Sequence, residues 1–233
     1  MDSQSSTNDT GHALMQRLVT VNEWRARIYE FIARLLDREI DEDFMNVLSG
    51  MSMPQSSGND KVDRGYTLIM HYLDDAPEDA IDELSADYER IFLGESQSHA
   101  VSLFEHTYAN EKHPTLAQAC ETMLDFYERF DFVLHDEERA NADRLPIELQ
   151  FIQMLAQRGA HAISTGDMHT AAGFLAEQNT CIEDHLALWV PRVSADIEMQ
   201  AETDLYKGVA SLLDGYLAVE KTFFSTILGS QDI

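Results

Sequence analysis

The chain has 233 residues, 44% of them apolar and 25% charged, a composition that fits a globular protein of one large domain or two small ones. Its charge balance is unusual: 16 Lys and Arg stand against 42 Asp and Glu, a formal net charge of −26. That field repels phosphate backbones and anionic lipid headgroups, which excludes nucleic acid and membrane surfaces as partners and leaves a basic peptide open.

Residues 1–11 are polar and acidic, without Lys or Arg, so they read as a disordered tail and not as a signal peptide. From His12 to Asp37 the pattern is helical, with Leu14, Leu18, Val21, Trp24, Ile28, Phe31, Ile32 and Leu35 recurring at three- and four-residue steps. Arg17, Arg25, Arg27, Arg34 and Arg38 make this the one basic-rich helix, and they are expected to pair with acids of neighbouring helices. A short helix over 41–49 and another over 60–73 follow, separated by a loop with Gly50, Pro54 and Gly58. Asp75-Ala76-Pro77-Glu78 opens the next helix, which Gly94 ends. Residues 95–113 show neither helical nor strand period, and a loop of that length is usually functional or a linker.

Pro114 starts a helix to Phe130, and the acidic stretch 131–143 reads as a connector. Asp143 is placed to cap the following helix, which runs to Ser164 and stops at Thr165-Gly166-Asp167. A further helix ends near Trp189, where Pro191 is expected to force a break or kink, and helical stretches over 192–201 and 203–228 complete the chain. No segment alternates like a strand. The expectation is therefore an all-α bundle of about nine helices: an N-terminal part over 12–130, a hinge over 131–143 and a C-terminal part over 144–233.

Several chemistries lack their motifs: there is no Gly-x-Gly, no Glu-x-x-His, no His-Glu-x-x-His and no Gly-x-Ser-x-Gly. Asp74-Asp75-Ala76-Pro77-Glu78 has the form of the aspartate-rich Mg²⁺ motif of all-α isoprenoid synthases, an alternative to an acidic helix start. His99, Glu105, His106 and His113 share the irregular loop and offer metal-binding atoms without the fixed short spacing of a metal motif. Glu148 lies between Leu145 and Ile152 on an apolar face, so it needs a partner, either an arginine of the first helix or a ligand. His185 shares a face with Cys181, Ile182 and Trp189 and reads as a satisfied core histidine. Cys120 and Cys181 form no metal or disulfide spacing and read as free thiols.

Four segments occur in a telling order: Asp87-Tyr88-Glu89-Arg90-Ile91-Phe92-Leu93-Gly94, Phe104-Glu105-His106-Thr107-Tyr108, Asp143-Arg144-Leu145-Pro146-Ile147-Glu148-Leu149, and His185 through Trp189 to Pro191. Together they resemble the TorD/DmsD family of redox-enzyme maturation chaperones, with its Tyr-x-x-Leu-Phe-x-Gly helix end, its Glu-Ser-x-Tyr loop and its Asp-His-x-x-x-Glu-Leu connector. The chain departs from that pattern where His106 replaces the loop Ser, Arg144 replaces the connector His, and Ala140-Asn141 replaces the Glu-Pro that precedes the connector motif in the family.

The resemblance implies a cytoplasmic, non-enzymatic chaperone with no cofactor of its own. It would bind the twin-arginine signal peptide and the apo-form of a molybdoenzyme, within the branch that serves trimethylamine N-oxide reductase, and assist molybdenum-cofactor insertion before export. The client site is expected to be shared between the loop around Glu105 and Tyr108 and the connector with Asp143 and Glu148, where carboxylates and an aromatic converge in irregular or helix-start positions, with Tyr88, Phe92 and Arg144 beside them. The alternative readings are an all-α Mg²⁺-dependent isoprenoid-type enzyme and an acidic helical scaffold without a specific client. The like charges of 131–143 favour an extended hinge, so a monomer exchanging slowly with a domain-swapped dimer is also expected.

Overall fold

The computed structural model describes residues 3–54, 56–94 and 100–229. Among the described residues there are nine α-helices: α1 (Ser3–Asp37), α2 (Glu42–Ser49), α3 (Asp60–Asp74), α4 (Ala80–Tyr88), α5 (Ala119–Arg129), α6 (Leu145–Ser164), α7 (Met168–Cys181), α8 (Ala187–Gln200) and α9 (Asp204–Leu228). No strand occurs among the described residues, and the only pairing of that kind is one antiparallel bridge between Phe104 and Arg144.

Local chemistry explains most boundaries. Asp41 caps α2 by accepting from the Phe44 N–H at 2.8 Å, and Asn59 caps α3 by accepting from Lys61 and Val62. Gly166 supplies the left-handed turn after α6, at φ +81°, and Asp167 then caps α7. Two boundaries differ from expectation. The first helix begins at Ser3, so residues 3–11 continue it instead of forming a tail; no Pro interrupts them, and extension adds one hydrogen bond per residue once a helix exists. Pro191 lies inside α8 without ending it. A π-helical turn, Ile182–Leu186, joins α7 to α8 immediately before it, and that wider turn absorbs the misfit of a residue that donates no hydrogen bond.

One core runs through both sides of residues 131–143. α1 packs along α6, and α3 packs along α9, so the two expected parts share their apolar faces. α9 is buried almost all round, as suits a central helix. Glycines allow its close approach to α3: a Cβ on Gly208 would lie 2.8 Å from the Gly65 carbonyl oxygen, and one on Gly215 would lie 2.7 Å from the Val62 nitrogen.

Ile32 and Leu35 of the expected stripe are buried, but towards its N-terminal end the face that α1 buries is rotated from that stripe. Leu14, Val21 and Trp24 remain exposed, while Val19, Asn22, Arg25, Ala26 and Tyr29 turn inward. An arginine is buried in place of a tryptophan because Glu220 of α9 receives it: Arg25 Nε lies 2.8 and 3.0 Å from the two carboxylate oxygens, and Tyr29 donates to the same group at 2.5 Å. The rings of Phe223 and Phe224 cover the guanidinium.

Residues 131–143 are not extended. They fold into turns and a short 3₁₀ segment, Arg139–Asn141. Phe132 packs on Tyr127 and Phe151, the Tyr127 hydroxyl donates to the Ala142 carbonyl at 2.7 Å, and Arg139 pairs with Glu128. Aromatic burial and these bonds outweigh the screened repulsion of surface acids.

Candidate functional site

The bridge between Phe104 and Arg144 organises the site. Leu145 donates its N–H to the Leu103 carbonyl at 2.8 Å, and Glu105 donates to the Asp143 carbonyl at 3.0 Å. Residues 103–105 and 143–145 therefore lie side by side as two short extended segments. Successive side chains point to opposite faces of such a pair. Phe104 and Arg144 face a surface groove of about 440 Å³, while Glu105 and Asp143 face the interior and are buried.

Tyr88 and Phe92 form the opposite wall of that groove, with ring centroids 4.8 Å apart. Phe92 lies on a second π-helical turn, Glu89–Leu93. Tyr88 also donates to the Leu36 carbonyl at 3.2 Å, and Arg144 holds the Asp37 carboxylate at 2.6 Å and its carbonyl at 2.9 Å. Two groove residues thus occupy carbonyls at the C-terminal end of α1, where a guanidinium also meets the negative end of the helix dipole.

Beneath the groove lies an acidic cluster. Glu105 accepts from His185 Nδ1 at 2.9 Å, so His185 is a satisfied core histidine at that nitrogen. Asp143 accepts from the His106 N–H at 3.0 Å and contacts the His106 ring at 2.5 Å. That engagement explains why Asp143 does not cap α6: Arg144 stands at the N-cap position instead, without a side-chain cap.

Glu148, one turn into α6, is 1% exposed, and neither of its carboxylate oxygens has a hydrogen-bond partner; Oδ1 of Asp143 is likewise unpartnered. No ion pair among the described residues joins Glu148 to α1, contrary to the first of the two partners expected for it. Burial, reinforced by the charges of Glu105 and Asp143, pushes the Glu148 carboxyl well above the usual carboxylate range. Burial also raises Glu105, with His185 opposing the shift.

The sequence-derived site therefore divides in three. Tyr88, Phe92 and Arg144 line the groove, and Glu105, Asp143 and Glu148 form the acidic cluster below it. Tyr108 belongs to neither: it is buried against Trp189, donates to the Ser102 carbonyl at 2.9 Å and carries the Arg192 guanidinium over its ring. Its hydroxyl pKa is pushed up to about 12, first by burial and then by Asp196.

Asp74 ends α3 and Asp75 and Pro77 lie in the turn before α4, so the Mg²⁺-like acids share no helix face. His99 lies outside the described residues, and among these no group of three or more His, Cys, Asp or Glu side chains is arranged to hold a metal ion. Cys120 and Cys181 are free.

The family model described as nitrate reductase delta subunit matches residues 59–195, more than half of the chain. That span contains both walls of the groove and the whole acidic cluster. The chain belongs to this family, the TorD family of redox-enzyme maturation chaperones. Similar proteins named "Chaperone protein TorD" come from Aliivibrio fischeri (24% identical over 217 residues, 91% of this chain and 99% of the relative) and from Shewanella sp. strain MR-4 (26% over 213 residues, 87% and 95%). A third, from Aliivibrio salmonicida, is 24% identical over 220 residues. No solved structure matches.

One residue of this TorD-family chain had escaped the sequence-derived site. Asp87, immediately before Tyr88, is buried and accepts from Arg90 at 2.6 Å and from the Thr203 N–H at 2.7 Å. It fastens the groove wall to the start of α9. Its adjacency to Tyr88 and the Arg three residues later are the local signals that mark it.

Proposed function

We propose that this protein is a cytoplasmic chaperone that binds the twin-arginine signal peptide and the apo-form of an exported molybdoenzyme. Trimethylamine N-oxide reductase is the proposed client, held competent for molybdenum-cofactor insertion until export. One observation carries the reading at the site: three unpartnered carboxylate oxygens, two on Glu148 and one on Asp143, lie below an aromatic groove. A buried acceptor without a donor costs stability unless a ligand completes it. A guanidinium is such a ligand, because its planar fork matches a carboxylate with two parallel hydrogen bonds. The apolar residues that follow two arginines in such a peptide suit the walls made by Tyr88, Phe92 and Phe104.

The acids are covered in the unliganded chain, so client binding involves lifting the Phe104 segment from Arg144. The net charge of −26 steers a basic peptide toward the protein and weakens in effect with added salt. The proposed resting state is a monomer in slow exchange with a dimer that swaps the chain beyond residue 143, because the same contacts reform between copies.

Co-purification tests the function. The protein is isolated from cells expressing an exported molybdoenzyme without its cofactor, and the bound proteins are identified. The apo-enzyme with its signal peptide attached is the expected partner. Capture of no exported redox enzyme would favour an acidic scaffold without a client.

A further inference from the structure

A second groove lies elsewhere, between α1, α2 and α6, with a volume of about 760 Å³. Its α1 wall is Arg27, Phe31, Arg34 and Arg38, which recur at steps of four, three and four residues and so form one stripe on a helix. Its floor mixes apolar and neutral polar groups: Phe44 and Met51 on one side, Met154 with Gln150 and Gln157 on the other. Methionines and glutamines make a surface that adapts to different apolar side chains without repelling them.

The charge of this wall is opposite to that of the protein. Arg27 and Arg38 are exposed and have no ion pair among the described residues. Arg34 lies over the Phe44 ring at 4.1 Å and reaches Asp41 only at 3.3 Å. Arg34 also donates to the Arg38 and Glu39 carbonyls; of the acids on the same wall, Asp37 is engaged by Arg144, which leaves Glu30 beside the two unpaired arginines, Arg27 and Arg38. A chain of net charge −26 leaves Arg27 and Arg38 without an ion pair among the described residues here, beside an apolar floor.

We propose that this groove docks an amphipathic helix whose apolar face is edged by acidic residues. The inference rests on the reading of the protein as a client-binding chaperone and places an acidic, apolar segment of the client there. Like charge keeps a twin-arginine peptide out of this groove, so signal peptide and client body occupy separate surfaces. From Arg27 to Arg38 the wall is about 17 Å long at the helical rise, which accommodates about three turns of a docked helix.

Fluorescence anisotropy with a labelled 14-residue peptide tests it, the probe carrying Leu at helical spacing and Glu along both edges of that face. A second probe replaces every Glu with Lys. The Glu probe is expected to bind, and the Lys probe to bind at least tenfold more weakly. Arg27→Glu combined with Arg38→Glu reverses that preference, and Met154→Lys weakens both probes; far-ultraviolet circular dichroism confirms that the variants are folded. Equal binding of both probes, or a preference unchanged by the double substitution, would overturn the proposal. So would a concentration-dependent dimer that the double substitution abolishes, since the groove would then serve a second copy. A twin-arginine peptide titrated in parallel reports on the acidic cluster alone, so its failure to bind leaves the result for this groove intact.

Discussion

Arg25 and Glu220 stand 195 residues apart in sequence and form a doubly hydrogen-bonded ion pair in the interior. The pair fixes the rotation of α1 against α9, and with it the position of the α1 C-terminal end that Tyr88 and Arg144 hold. Removing one partner leaves the other charge buried alone. Glu220→Ala or Arg25→Ala is expected to cost roughly 3–5 kcal/mol in urea denaturation, whereas Arg25→Met with Glu220→Leu costs less than either single change.

Glu148 makes stability depend on pH in a defined direction. Its folded-state pKa is raised, so below the ordinary glutamate value it is neutral in both states and contributes no penalty. As pH rises from that value toward the folded pKa, the unfolded state loses the proton first and stability falls. Glu148→Gln removes the titration. Its melting temperature should exceed that of the parent by roughly 2–4 °C at pH 7.5, for about 1 kcal/mol, and the difference should vanish near pH 4. A difference that persists at pH 4 would assign the effect to packing.

Gly208 and Gly65 set the spacing of α3 and α9. A methyl group on Gly208 would meet the backbone oxygen of Gly65 and the Ile69 side chain, neither of which is a free end. Gly208→Ala is therefore expected to destabilise by roughly 1–3 kcal/mol despite the better helix propensity of alanine, measured by chemical denaturation. A gain in stability would show that the helices separate at little cost.

The swapped dimer is tested by isolating each size-exclusion fraction and re-running it over days. Slow re-equilibration is expected, because exchange requires the α1–α6 and α3–α9 contacts to open. Interconversion within seconds would indicate a surface interface instead, and a single monomer peak at every concentration would remove the dimer.

The helices were legible because their signals are local. Asp41, Asn59 and the Thr165-Gly166-Asp167 stop act within one turn of where they stand. The site was legible as a set of residues but not as an arrangement. Nothing near Asp143 in sequence announces that His106 will take its carboxylate, and Glu105 and Tyr108 look like one loop although they face different surroundings. The rotation of α1 was hidden for the same reason, since only Glu220, near the other end of the chain, makes an inward Arg25 preferable to an inward Trp24. Pro191 misled because the π-turn that accommodates it has no sequence signature.

The buried acids below the Tyr88–Phe92 groove are proposed to receive the paired arginines of a signal peptide. Isothermal titration of the twin-arginine signal peptide of trimethylamine N-oxide reductase, with a Lys-Lys version as control, tests it most directly on the parent protein and on Asp143→Asn and Glu148→Gln. The account predicts binding by the parent, at least tenfold weaker binding of the Lys-Lys peptide, and a tenfold loss with either substitution in folded protein. Binding that is indifferent to both the arginines and the two carboxylates would contradict it.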